Sequence, residues 1–439
     1  MSTQPEKQQL GPWMTTALVV GGIIGAGIFL LPVALAPFGR NAIIGWVISG
    51  AGVLCIGYAL ARLVTSDGAG LQAYVERSFG PTAGFLVAWS FCFSQWAANA
   101  ALAIAAAAAI SRIENAFAGP TAIALLAVGF IIFLTLVNAL GARAMGRLAV
   151  VTTALKILPL VAAVVLVAVN SGQGRPAEAL ALMPVTFDNI AAAVALTLYA
   201  LTGFENATAP VGKVRDPART IPRAILLGTA FVALLYLLSS TAVLMLLPQD
   251  QAIVSVAPFA DALATRWGET AAILAALGMA ISAFGCLNGG IMVAGELGYS
   301  MALRGDLPRT LAGTNGTNTP VVGQLLASAV AILLVLLNSS RTTAGLFTFV
   351  ILLSTVGALV IYLVGSIAAL RLRPSGLATA IIVVGILFSL FAFYGAGLEA
   401  NLWGVVLIAA GFVIRWLSRR FSSRATIPPA ETVPAALPE

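Results

Sequence analysis

Apolar stretches near residues 14–36, 41–63, 83–111, 121–140, 147–169, 189–211, 222–247, 268–302, 321–338, 344–370, 376–395 and 400–417 constrain this chain more than any other feature. Most approach or exceed the ~20 residues that a helix needs to cross a bilayer. In lipid, every exposed backbone group must be hydrogen-bonded internally, and a helix achieves this within a single segment. The expectation is an all-α integral membrane bundle of twelve spanning helices. A polar segment, residues 1–12, precedes the bundle at 13–417, and a Pro/Ala-rich tail at 418–439 is expected to be disordered. Only 9% of the 439 residues are charged, against roughly 25% in soluble domains, so a water-soluble fold is excluded. The first apolar stretch outruns a signal-peptide core and no small-residue cleavage pattern follows it, so it is expected to be retained.

The charge distribution speaks of topology. With the N-terminus inside, alternate loops place 17 Lys and Arg residues on the inner side, among them Arg62, Arg304, Arg371 and Arg415, and only 5 on the outer side: Arg40, Arg112, Arg175, Arg266 and Arg341. Positive residues are retained in the cytoplasm, so both termini are expected there. The formal net charge of +7 does not point to nucleic acid, because no basic run is interleaved with aromatics. The chain has no His, and Cys55, Cys92 and Cys286 lie far apart within apolar stretches. Neither a metal, a cofactor nor a clustered catalytic constellation is called for, which argues against a membrane enzyme.

Two segments depart from a plain apolar helix. The first reads Gly21-Gly22-Ile23-Ile24-Gly25-Ala26-Gly27-Ile28-Phe29 with Pro32, and the sixth Tyr199-Ala200-Leu201-Thr202-Gly203-Phe204-Glu205-Asn206 with Pro210. Gly admits non-helical angles and Pro removes a backbone donor, so both can open near mid-membrane. An opened helix exposes N–H groups on one side of the break and carbonyls on the other, a pair suited to a carboxylate and an ammonium. Small residues also let helices pack closely; the recurrence at the first position of each five-helix half favours a site. A channel would instead repeat a pore loop around an axis.

Gly25-Ala26-Gly27-Ile28-Phe29, Gly203-Phe204-Glu205, Val214-Arg215-Asp216-Pro217 and Thr220-Ile221-Pro222 resemble the amino acid, polyamine and organocation transporter superfamily. The likeness covers nearly the whole chain and is strongest to the basic amino acid and polyamine antiporters of the arginine/agmatine type. It implies a LeuT-like core of 5+5 inverted repeats, about 14–169 and 189–370, with discontinuous helices one and six and two appended helices. It also implies a bacterial inner-membrane antiporter with alternating access, exchanging a basic amino acid and its amine. Proton-coupled transport of small neutral amino acids is the alternative, and a non-transporting scaffold subunit a more distant one. Amino acid or amine substrate and membrane lipid are the expected partners, with protons and a second copy of the chain as further candidates.

The resemblance also carries residues. The substrate carboxylate would lie on the backbone of Ile24, Gly25, Ala26 and Gly27. Asn99, within Gln95-Trp96-Ala97-Ala98-Asn99, would lie beside the substrate, Tyr199 would close over it, and Thr202 and Gly203 would face the pocket. Positions in the eighth and tenth helices fall at Ile291 and Ser354. Tyr199 and Ile291 stand where the arginine/agmatine antiporter has tryptophans, which puts arginine itself in doubt.

Intramembrane charges cost about 2.5–3.5 kcal/mol each on insertion scales. The resemblance gives Lys156 the place of a sodium ion, its ammonium on first-helix carbonyls near Gly21 and Gly22; the alternative is a snorkelling Lys. Glu205 follows the sixth-helix break, as a gating or proton-sensing group or as a structural brace. Phe204 beside it is a gate candidate, whereas Trp89, Trp96 and Phe284 read as packing. Glu296 reads as structural or interfacial.

Overall fold

The computed structural model describes residues 11–25, 27–63, 71–139, 145–172, 180, 182–204, 214, 216–315 and 319–422. Ala26 and Glu205 lie outside them. The first apolar stretch forms two helices, α1 (Pro12–Ile23) and α2 (Gly27–Leu35), bent by 48° at their junction. The helices α3 (Asn41–Ala61), α4 (Leu71–Phe79), α5 (Pro81–Ile113), α6 (Pro120–Ala139) and α7 (Met145–Gly172) follow. The second half holds α8 (Phe187–Ala200), α9 (Pro217–Leu246), α10 (Gln249–Val254), α11 (Pro258–Leu303), α12 (Val321–Leu337) and α13 (Thr343–Leu370), and α14 (Gly376–Gly395) and α15 (Gly397–Ser422) complete the bundle.

Local chemistry explains several starts. Pro12, Pro81, Pro217 and Pro258 occupy first-turn positions whose missing N–H costs nothing. Thr186 and Thr342 cap α8 and α13, their hydroxyls accepting from the N–H groups of Asn189 and Gly345 at 3.2 and 3.1 Å.

Among the described residues, eight helices are long and apolar enough to cross a membrane, or nine when α1 and α2 count as one broken span. Lys156–Gly172, Phe187–Ala200 and Val321–Leu337 are shorter apolar helices. The chain is a multi-pass membrane protein. At ~1.5 Å per residue, the 14 residues of α8 reach about 21 Å, less than the ~30 Å hydrocarbon core. The sixth apolar stretch therefore ends its helix at Ala200, well short of 211, as a half-span. Three further boundaries differ from the sequence reading. The connection at 248–267 holds α10 and the first turns of α11, which kinks at Gly268. A short amphipathic helix, α4, precedes α5. The last helix runs past 417 to Ser422 and carries Arg419 and Arg420 in its final turn, so the tail starts later than 418.

Packing centres on α5, which lies against α11 and α13, while α3 packs on α8 and α9, and α1 on α9. The face of α5 from Ala100 to Ala109 is nearly all buried alanine, which lets neighbouring backbones approach. Polar pairs stitch the same region: Thr135 to Ser328 at 2.6 Å, and the Asn138 amide donating to the Asn288 carbonyl oxygen of its side chain at 2.7 Å. One end of the bundle gathers the cations assigned to the inner side. There Asp306 accepts from Arg415 at 2.8 Å and Arg419 at 3.0 Å, and Arg304 pairs with Glu76 at 2.8 Å. At the opposite end of α5, Arg112 pairs with Asp261 at 2.6 Å and Glu269 at 2.7 Å.

Candidate functional site

The two broken segments meet. Gly203 takes φ +108, and a Cβ there would lie 2.5 Å from the Gly22 carbonyl oxygen. Only a residue without a side chain fits both that angle and that distance. Around this crossing lies a cavity of about 330 Å³, walled by α1, α2, α5, α7, α8, α9, α11 and α13, within the usual size range of small-ligand sites.

Eight of the residues singled out from the sequence line it: Gly25, Gly27, Asn99, Lys156, Tyr199, Thr202, Gly203 and Ser354. Three do not. Ile24 and Ile291 are fully buried in the core, and the α11 wall is made by Gly285, Cys286, Gly289, Gly290, Met292 and Val293. Ile291 points elsewhere because adjacent residues of a helix lie about 100° apart. Phe204 is also buried, stacked on Tyr362 with ring centroids 5.3 Å apart, so its ring belongs to the core and not to the cavity wall. The other aromatics serve packing: the Trp89 indole donates to the Leu407 carbonyl at 2.7 Å, Trp96 sets its ring edge-on to Trp89, and Phe284 packs against Phe130. Glu296 is exposed.

The polar groups divide into engaged and free. Two carbonyls at the end of α1 are taken: Tyr236 of α9 donates its hydroxyl to Ile23 O at 3.2 Å, and the Cys286 thiol lies 3.9 Å from Ile24 O. Sequence reasoning missed both partners, since neither carries a local signature. Ser354 is engaged as well. Its hydroxyl donates to Ser94 O at 3.0 Å, Ser94 returns a bond to Ser354 O at 2.8 Å, and the two hydroxyls lie 3.2 Å apart. Thr202 bonds back to Tyr199 O at 2.7 Å.

Among the described residues, Asn99 and Lys156 are lining groups without a hydrogen-bond partner. Asn99 is 1% exposed with both amide atoms unpartnered, and its carbonyl oxygen fills the space that a side chain on Gly290 would take. Lys156 is 6% exposed and makes no hydrogen bond or ion pair with any described residue. The expected contact with carbonyls near Gly21 and Gly22 is not made, although all three residues line the same cavity. Buried polar groups are almost always satisfied, so a cavity bordered by a free amide and a free ammonium is built to receive a partner.

The backbone adds a field. The N-terminus of α2, at Gly27 and Ile28, and the C-terminus of α8, at Tyr199 and Ala200, both border the cavity. They present about +0.5 and −0.5 of an elementary charge respectively. Tyr199 sits over Gly27, where its ring occupies the position of a would-be Cβ, and meets Phe347 edge-on at 6.4 Å.

A multi-pass helical bundle with a broken first span beside a cavity of small-ligand size has the architecture of a membrane carrier. Residues 10–414 match the model of the amino acid permease family. The chain belongs to that family, within the amino acid, polyamine and organocation superfamily, and is a transporter rather than an enzyme. It is similar to the putrescine transporter PotE of Haemophilus influenzae, 28% identical over 428 residues covering 93% of this chain and 97% of the relative. The putrescine transporter PotE of Escherichia coli K12 is 27% identical over 95% and 98%. The cadaverine/lysine antiporter of the same organism is 30% identical over 76% of each chain.

Proposed function

We propose that this chain is a sodium-independent amino acid antiporter of the bacterial inner membrane, with both termini cytoplasmic. In this reading, twelve spans form 5+5 inverted repeats plus two helices. The observation that carries it is the cavity between the N-terminus of α2 and the C-terminus of α8, with Asn99 and Lys156 unpartnered on its wall. A zwitterion matches that field, its carboxylate toward the N–H groups that open α2 at Gly27 and its ammonium toward the C-terminal end of α8. Lys156 supplies the fixed cation that a bound sodium ion would otherwise provide. In this reading Tyr199, over Gly27, closes over the substrate, and Glu205, which follows the second break in the sequence, is the gating or proton-sensing group, while Phe204 stays in the core. The resemblance and the relatives' names favour a basic amino acid exchanged for its amine. Tyr199, standing where the arginine/agmatine antiporter has a tryptophan, weighs against arginine itself and keeps small neutral amino acids as the alternative.

The test is uptake of radiolabelled arginine and leucine into proteoliposomes preloaded with single amino acids or polyamines. Antiport requires uptake accelerated only by particular internal compounds and unchanged when choline replaces sodium. Uptake into empty vesicles that follows a proton gradient would replace exchange by symport, and no uptake of either label under any loading would reject the reading.

A further inference from the structure

The cavity carries an unbalanced full charge. Lys156 lines it with no hydrogen bond or ion pair to any described residue, and none of the described lining residues is acidic. The partial charges at the N-terminus of α2 and the C-terminus of α8 are opposite in sign and offset one another. Of the carbonyls beside the first break, Ile23 O accepts from Tyr236 and Ile24 O from Cys286. A buried ion without a counter-charge is unfavourable, and the attraction or repulsion it exerts is strong where water is excluded.

We infer that Lys156 is a specificity-determining residue that makes a substrate carboxylate obligatory, so that the cavity selects mono-amino acids with uncharged side chains over diamines. This rests on the reading of the cavity as an amino acid or amine site and narrows it. A zwitterion adds no net charge and brings an anion beside Lys156. A diamine adds two positive charges to a cavity that already holds one, and lacks the anion. Phe91, Leu102, Met292 and Val293 offer an apolar wall for an aliphatic side chain. Putrescine and cadaverine, the diamines in the relatives' names, lack the required group, so the chain departs from those relatives in substrate charge.

The test uses purified full-length protein in lipid nanodiscs, titrated calorimetrically with three probes of matched carbon skeleton. L-lysine has a carboxylate and two amines, cadaverine is lysine without the carboxylate, and L-norleucine is lysine without the terminal amine. Norleucine is expected to bind at least tenfold more tightly than cadaverine, with lysine between them. Lys156→Met, shown to be folded by its melting curve, is expected to shrink the norleucine-to-cadaverine ratio at least tenfold. Lys156→Arg, which keeps the charge, is expected to retain the ratio. Cadaverine binding as tightly as norleucine, as an acidic group reaching the cavity would produce, overturns the inference while leaving the amino acid or amine site intact. An unchanged ratio in folded Lys156→Met overturns it too. Failure of folded wild-type protein to bind any of the three overturns the underlying reading together with the inference. If Lys156→Met does not fold, the wild-type ratio and Lys156→Gln decide.

Discussion

The Gly22 carbonyl oxygen occupies the place of a side chain on Gly203, 2.5 Å from where its Cβ would stand, so the two broken segments touch backbone to backbone. Gly203→Ala meets two penalties, the positive φ and the collision with a backbone atom. Strain of this kind costs of order 1–3 kcal/mol. Gly22→Ala is milder, because its Cβ would approach Gly203 O only to 3.3 Å. Melting curves of the purified variants should rank wild type above Gly22→Ala above Gly203→Ala, with uptake lost in the last. Equal stability of the two variants would show that the crossing relaxes freely.

Asn99 should separate stability from function. Its amide is buried at the cavity wall without a hydrogen-bond partner among the described residues, and an unsatisfied polar group costs about 1–3 kcal/mol. Asn99→Leu is therefore expected to hold or raise the melting temperature while weakening substrate binding by about tenfold or more. A loss of stability with affinity unchanged would make Asn99 a structural residue.

Tyr236→Phe removes one of two donors to Ile23 O, which keeps the Gly25 N–H at 2.7 Å. The loss of one hydrogen bond is about 0.5–1.5 kcal/mol. The tyrosine ring also meets Trp46 at 5.7 Å, and Phe keeps that contact. Substrate affinity or exchange rate should therefore fall by about 5-fold or more with the bundle intact, as measured by counterflow in proteoliposomes.

The ion pairs at the end of the bundle that gathers Arg304 and Arg415 should differ sharply. Arg415 and Asp306 are each 6% exposed in their side chains, whereas Arg304 and Glu76 are 43% and 37% exposed. Removing one partner of a buried pair costs about 3–5 kcal/mol, and an exposed pair contributes about 0–1 kcal/mol. Asp306→Ala should lower the melting temperature and the yield of folded protein well beyond Glu76→Ala. Similar melting points for both would show that Arg415 finds another partner.

Much of this architecture was legible because lipid permits so few solutions. Apolar length located the helices, and the Gly-rich runs at Gly21–Gly27 and around Gly203 located the breaks. Face and register were less accessible. The resemblance assigns Ile291 to the site, but one step along α11 turns a side chain through about 100°, which puts Gly290 and Met292 on the wall in its place. The end of α8 was legible in part: Gly203, Glu205, Asn206 and Pro210 marked a break, but not that the helix stops at Ala200, just before Gly203 crosses Gly22. Tyr236 and Cys286 reach the end of α1 from far along the chain, through packing that no spacing rule encodes. Lys156 stood out as a charge in an apolar run, but its lack of a partner is a fact of three dimensions.

The reciprocal serine bonds between α5 and α13 set a mechanical limit. Ser94 and Ser354 each give a hydroxyl to the other's backbone, and a Cβ on Gly357 would come within 2.8 Å of Ser94 Cβ. Such a hasp tolerates rotation of the joined pair but not slippage, because a shift of one residue unfastens both bonds. These two helices then behave as a single stave of the barrel, and any rearrangement of the bundle has to carry them together.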